Sequence, residues 1–174
     1  MKILNKNKGF TLIEMLIATL IFSIVIGAAI GVFVSAIRFQ KYNLTHQQIL
    51  SQSSYAMEYM DRAIRMAKKD EIGCIDGSNY LEATNSIKFV TYHNQCWRFF
   101  VQNGQLKIDK DGVVYDLTSD DFRVIDFNVN VTGDSLGDNL QPKVTILIEI
   151  EGDGLAPQPK IKIQTTISQR NLDR

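Results

Sequence analysis

The chain has 174 residues, with 19 basic and 19 acidic side chains, and is 45% hydrophobic. That length holds at most one soluble domain beside an anchor. The balanced charge, with no basic patch interleaved with aromatics, speaks against a nucleic-acid partner.

The chain opens on a short polar leader carrying Lys2, Lys6 and Lys8, followed by Gly9 and Phe10. Residues 15–37 then contain no charge. A helix of roughly 23 residues rises about 35 Å, enough to cross a hydrocarbon core of ~30 Å. A lone span must be helical, because lipid offers nothing to an unpaired backbone group. Glu14 stands where the apolar run begins. An acidic side chain costs about 2.5–3.5 kcal/mol at the centre of a span and less near its edge, so Glu14 is a functional candidate. A cleaved secretory signal fits poorly: the apolar run is too long, and Ser35-Ala36-Ile37-Arg38 is a poor cleavage site.

The string Gly9-Phe10-Thr11-Leu12-Ile13-Glu14, between a basic leader and an apolar span, resembles the N-terminus of type IV prepilins and of the pseudopilins of type II secretion. The resemblance implies that a prepilin peptidase cuts between Gly9 and Phe10 and that Phe10 becomes N-methylated. It implies that the helix stays in the mature protein and that Glu14 reaches the amino group of Phe10 in a neighbouring subunit. A half-buried carboxylate is tolerable beside an ammonium and costly alone. The implied partners are other pilin or pseudopilin subunits, the peptidase, an inner-membrane assembly platform and membrane lipid. The lysines before the span place the N-terminus in the cytoplasm and the C-terminal body outside it, in a single-pass cytoplasmic membrane protein that joins a filament after assembly. Loss of the leader removes three of the 19 basic residues and leaves the 19 acidic ones in excess. The competing reading is a membrane-tethered binding or sensor domain with a plain signal anchor.

The resulting organisation is a leader (1–9), a transmembrane and assembly helix (10–37), an amphipathic helix extension (38–72) and an exported β-rich domain (73–174). No proline or glycine interrupts 38–69, and Ile49, Ser53, Ala56, Met57, Met60, Ile64 and Ala67 recur at spacings of three and four. Glu58 with Arg62 and Asp61 with Arg65 are i,i+4 ion pairs for the wet side. Gly73 is the expected C-cap. Span and extension, from 11 to 69, make a rod of about 90 Å. Gly27 and Gly31 form a GxxxG, which reads equally as a close-packing or stretchable point and as ordinary membrane-helix glycine.

The remainder reads as strands at 86–92, 96–102, 105–109, 113–117, 122–131, 143–151 and 160–168. Asn103-Gly104 is the strongest hairpin signal, with a second turn at Lys110-Asp111-Gly112. The 122–131 segment does not resolve into one apolar face. The last two strands pair across Gly152-Asp153-Gly154 and two prolines. The expected fold is α+β and pilin-like: a long N-terminal helix packed on an antiparallel meander sheet. The hairpin through Asn103-Gly104-Gln105-Leu106 and the closing segment 165–172 (TTISQRNL) also resemble J-type minor pseudopilins.

No catalytic constellation is present, and no cofactor or metal is expected. His46 and His93 are far apart in sequence, and no nucleophile elbow, zinc helix or phosphate loop occurs. Asp109-Lys110-Asp111-Gly112 begins like a calcium loop but lacks the closing glutamate. Asp120-Asp121 and Asp134 with Asp138 are likewise short of ligands, and such residues favour turns. Two cysteines, Cys74 and Cys96, are too few for a zinc site of cysteine alone. An exported body keeps them where disulfides persist, and a bridge would tie the end of the rod to the sheet. The other possibility is two separate thiols, one of them buried as a small apolar residue.

Overall fold

The computed structural model describes residues 9–134, 140–152 and 158–170. The leader lysines, Asp138, the turn at 153–157 and Asn171-Leu172 lie outside the described residues. The chain divides into two compact units, 1–43 and 44–174. The one α-helix among the described residues, α1 (Leu12–Arg65), begins in the first and ends in the second.

In the first unit α1 is apolar and exposed all round, and its span is long and apolar enough to cross a membrane. The three hydroxyls within the apolar run return to the helix backbone. Thr19 Oγ1 donates to the Leu16 carbonyl (3.0 Å), Ser23 Oγ to that of Thr19 (2.8 Å) and Ser35 Oγ to that of Gly31 (2.9 Å). A hydroxyl bonded in this way presents no unpaired group to hydrocarbon.

In the second unit the helix becomes one-sided. Ile49, Ser53, Ala56, Met57, Met60 and Ile64 are buried, followed just past the helix by Ala67, as the spacing predicts. The pairs Arg62–Glu58 and Arg65–Asp61 form on the wet side. Among the described residues the stripe is covered by eight strands in two antiparallel sheets rather than by one meander. The first sheet runs in order through β1 (Tyr80–Ala83), β2 (Ser86–Val90), β3 (Cys96–Gln102), β4 (Gln105–Lys110) and β5 (Val113–Asp116). The second contains β6 (Phe122–Thr132), β7 (Lys143–Gly152) and β8 (Lys160–Ser168). Ile87, Phe89, Phe99, Leu106 and Ile108 from one sheet and Val144, Ile146, Ile148 and Ile150 from the other close one core with the helix stripe.

Local chemistry accounts for most of the strand boundaries. Asn103 and Gly104 both have positive φ (56° and 76°), as do Asp111 and Gly112 (52° and 89°), so the Asn103-Gly104 turn forms and the second turn forms on Asp111-Gly112, with Lys110 still in β4. The register of β6 shifts between Val124 and Asp126. Phe122 and Val124 face the core before this bulge, and Phe127 faces it after. One extra residue moves the inward set from even to odd positions, which is why the segment shows no single apolar face. β1 was not expected from the sequence; four residues with three exposed give no alternation to read.

The helix also ends earlier than expected, at Arg65 rather than in the range 69–72. The carbonyls at and just past its end are taken by groups from elsewhere. Tyr80 Oη donates to the Ile64 carbonyl (2.8 Å), the Arg170 amide to that of Arg65 (2.9 Å) and Gln169 Nε2 to that of Ala67 (3.0 Å). The Lys68 amide donates to Val90 (3.0 Å) in a β-bridge instead of continuing the helix. Gly73, with φ 78°, lies in the following loop and caps no helix.

The end of β7 sits close against α1. A Cβ on Gly152 would lie 2.7 Å from Thr45 Cγ2 and 3.1 Å from Ile49 Cδ1, both on a helix that cannot recede without disturbing the core. Gly152→Ala is therefore expected to cost about 1–3 kcal/mol by overpacking. Gly31→Ala, which meets nothing within 4 Å, should cost none. Denaturant midpoints of the two variants in detergent, read by circular dichroism, check this; equal midpoints would refute it.

Candidate functional site

The N-terminal site begins with Gly9 and Phe10 ahead of the helix. No atom of the described residues lies within 4 Å of where a Gly9 side chain would stand, and Phe10 is 79% exposed. Thr11 is the N-cap of α1, and Glu14 sits in the third helical position. The Glu14 amide donates to Thr11 Oγ1 (3.3 Å), while Glu14 Oε2 accepts from the Thr11 amide (3.3 Å) and hydroxyl (3.4 Å). This reciprocal arrangement is a capping box, and it satisfies backbone donors that a helix start leaves unpaired. The carboxylate is also well placed electrostatically, at the positive end of the helix dipole. Thr11 was not singled out as a candidate residue, although a threonine three residues before a glutamate at the head of an apolar run is the signature of such a cap. The glycines of the GxxxG, Gly27 and Gly31, meet nothing in their own chain.

The second site is the loop after α1. Cys74 and Cys96 are joined by a disulfide, with Cα atoms 6.0 Å apart and 22 residues of separation. Closing a loop of that size restricts the unfolded chain by about 3 kcal/mol in the chain-entropy account. The bond fastens the loop to the first residue of β3, and Lys88 Nζ holds the Cys74 carbonyl at 3.0 Å. Asp70 organises the loop from within. Its carboxylate accepts from the amides of Ile72 (2.9 Å), Ile75 (2.6 Å) and Gly77 (3.4 Å). Burial by itself would raise the Asp70 pKa, but amide donors from Ile75, Cys74, Ile72 and Gly77 outweigh it and hold the value at about 2.

Other candidates from the sequence do not assemble into a reactive centre. His46 lies on α1, and His93 stands edge-on to Tyr92 in the β2–β3 turn. Asp109 bonds the Gly112 amide (2.8 Å) and Arg98 (3.2 Å), which is turn and cross-strand work. Among the described residues no cluster of three His, Cys, Asp or Glu side chains could hold a metal ion. A shallow depression of about 320 Å³ is lined by Asn103, Gly104, Gln105, Asp120, Phe122 and Arg123, with Gln105 bonded to Asp120. It contains no paired acid and base.

Residues 4–30 match the prokaryotic N-terminal methylation motif, a prepilin-type motif consistent with the type IV pilin and pseudopilin family. Such a motif implies processing by prepilin peptidase and association with other pilin subunits in general, and it points to a structural rather than a catalytic protein. No curated protein and no solved structure matches the chain.

The Asp70 loop makes a pH prediction. A depressed carboxylate pKa stabilises the fold fully above the unfolded value, near 3.8, and the contribution is lost as pH falls toward 2. Asp70→Asn should cost roughly 1–2 kcal/mol at neutral pH, with an allowance for water around the loop. The gap between wild type and variant should close between pH 4 and pH 2. Denaturant melts across that range check it, and a gap that stays constant would contradict it.

Proposed function

We propose that the chain is a structural subunit, of the minor kind, of a type IV pilus or a type II secretion pseudopilus. The observation that carries this reading is a prepilin-type methylation motif at the head of a helix long and apolar enough to cross a membrane. In this reading a prepilin peptidase cuts between Gly9 and Phe10, and the new terminal nitrogen of Phe10 is methylated. The lysine-bearing leader remains in the cytoplasm, and the body from 73 onward is exported. The minor assignment rests on the resemblance of the Asn103-Gly104 hairpin and the closing segment to J-type pseudopilins. The inner-membrane assembly platform and neighbouring subunits are the partners.

The capping box gives the proposed assembly step a physical basis. Before assembly Glu14 is already bonded to Thr11, so the carboxylate need not wait unpaired at the membrane edge. Pairing with the Phe10 ammonium of a neighbour then replaces a neutral donor by a charged one, a stronger bond in a medium that screens little. The exposure of Phe10 supports its accessibility to both enzyme and neighbour.

The test is processing followed by incorporation. Because a Gly9 side chain meets nothing among the described residues, Gly9→Val should fold normally yet leave an uncut precursor. The wild type should lose Met1 to Gly9 and gain one methyl group by intact mass. Glu14→Ala should be cut and methylated but enter filaments at least roughly tenfold less, the cost of an unmade charged bond. Its effect should be milder if the subunit occupies a filament tip. An intact leader on the wild type would leave a plain membrane anchor as the reading.

A further inference from the structure

The Cys74–Cys96 disulfide is held from both sides by bonds that do not involve sulfur. On the loop side the Asp70 carboxylate gathers the amides of Ile72, Ile75 and Gly77, which stand before and after Cys74. The Asp70 amide closes the loop onto the Ser78 carbonyl (3.0 Å), and the Ser78 amide returns to that of Ile75 (3.3 Å). Ile75, next to Cys74, is 2% exposed and anchors the loop from below. Lys88 Nζ reaches from β2 to the Cys74 carbonyl. On the strand side Cys96 opens β3 and pairs with Val90 of β2. Its amide donates to Asp111 Oδ1 (2.8 Å), and its carbonyl accepts from the Asp111 amide (3.0 Å). Val90 also takes the Lys68 amide, so the segment that leads into the loop joins the same ladder.

None of these contacts needs the sulfur–sulfur bond. The Cα atoms lie 6.0 Å apart, within the range of a disulfide, and the backbone bonds keep them there when the pair is a dithiol. Both cysteines are half-buried, with exposed Gly73 and Gln95 beside them, so a small thiol or disulfide can approach. In the chain-entropy account a disulfide acts by restricting the unfolded chain, and that requires no cradle in the folded one. A cradle acts on the folded state, and what it supplies is proximity between two sulfurs.

We propose that Cys74 and Cys96 form an exchange site for a dithiol–disulfide carrier, opened and closed while the body stays folded, and that Asp70 positions Cys74 for closure. In the closing direction a thiolate of the pair attacks one sulfur of the carrier disulfide. The carrier's S–S bond breaks, and its other sulfur leaves as a thiolate. The second cysteine then gives its proton to water and attacks the protein sulfur of the mixed disulfide. That bond breaks, and the remaining carrier sulfur leaves as a thiolate. The two protein thiols are oxidised to a disulfide and the carrier disulfide is reduced to two thiols; opening is the reverse. Capture of the carrier is bimolecular and follows access and thiolate population. Closure is intramolecular and follows the cradle. The site lies wholly in the second unit, so it is independent of the fate of the leader.

The experiment takes the full chain in detergent micelles, reduces it and removes the reductant. Hydrogen exchange read by mass spectrometry should show the segment 70–77 still protected in the reduced wild type. Oxidised glutathione is then added, and acid quenching with intact mass follows the mixed disulfide and the closed bond separately. Closure should be at least roughly a hundredfold faster in the folded chain than in urea, where only a flexible loop joins the cysteines. Asp70→Asn should slow closure roughly tenfold and leave capture unchanged, a split that a merely stabilising side chain would not produce below the melt. Asp111→Gly removes the carboxylate from Cys96 at a residue whose φ of 52° suits glycine. It should slow closure in the same way, and it keeps the test open if Asp70→Asn unfolds. Loss of protection in the reduced wild type would overturn the proposal. So would closure as slow in the folded chain as in urea, or closure indifferent to both substitutions.

Discussion

A helix that is apolar all round over one half and apolar on one face over the other must change character without changing its backbone, and the rest of the chain is arranged around that change. Over 15–37 any charged side chain would be expensive, so the surface is uniformly apolar and its hydroxyls bond inward to the helix. From Ile49 to Ile64 the same uniformity would expose a wide apolar surface to water, so the sequence narrows to a stripe. Two sheets exist to cover that stripe. Their inward residues interdigitate with it, and Gly152 allows β7 to approach the helix where any side chain would collide.

Both ends of the helix face the same accounting of backbone groups and resolve it differently. The N-terminus uses local chemistry: Thr11 and Glu14, three residues apart, satisfy each other and the first amides. The C-terminus uses distant chemistry: Tyr80 and Arg170 supply donors to the carbonyls of Ile64 and Arg65, and Gln169 to that of Ala67 just past the helix. The local solution leaves the carboxylate exchangeable, since a better donor can replace the threonine. The distant solution is buried and binds three separated parts of the chain into one body, with the Cys74–Cys96 bond and the Asp70 loop beside it.

This difference explains what could be read in the sequence. Spacing alone named the buried helix stripe correctly, because a helix period is preserved wherever one face meets a core. The Asn103-Gly104 and Asp111-Gly112 turns were legible because positive φ demands particular residues. The early end of α1 was not legible: nothing near Arg65 forbids helix, and the groups that end it come from Tyr80 and the far end of β8. The division into two sheets was hidden for a similar reason, since the bulge near Ile125 reverses the inward set and blurs the pattern that marks a strand. At the N-terminal site the motif was read for its glutamate, while the threonine that completes the cap was passed over.

The bond from Gln169 to Ala67 joins groups 102 residues apart. A ribosome delivers the helix stripe long before it delivers β8, and the carbonyls of Arg65 and Ala67 stay without these donors until residues 169 and 170 arrive. During that interval the nascent chain carries an uncovered stripe beside an apolar span. Completion of the body therefore waits on β8, and a ribosome that stalls within β8 leaves a chain with an apolar helix, most of two sheets and open carbonyls after the helix.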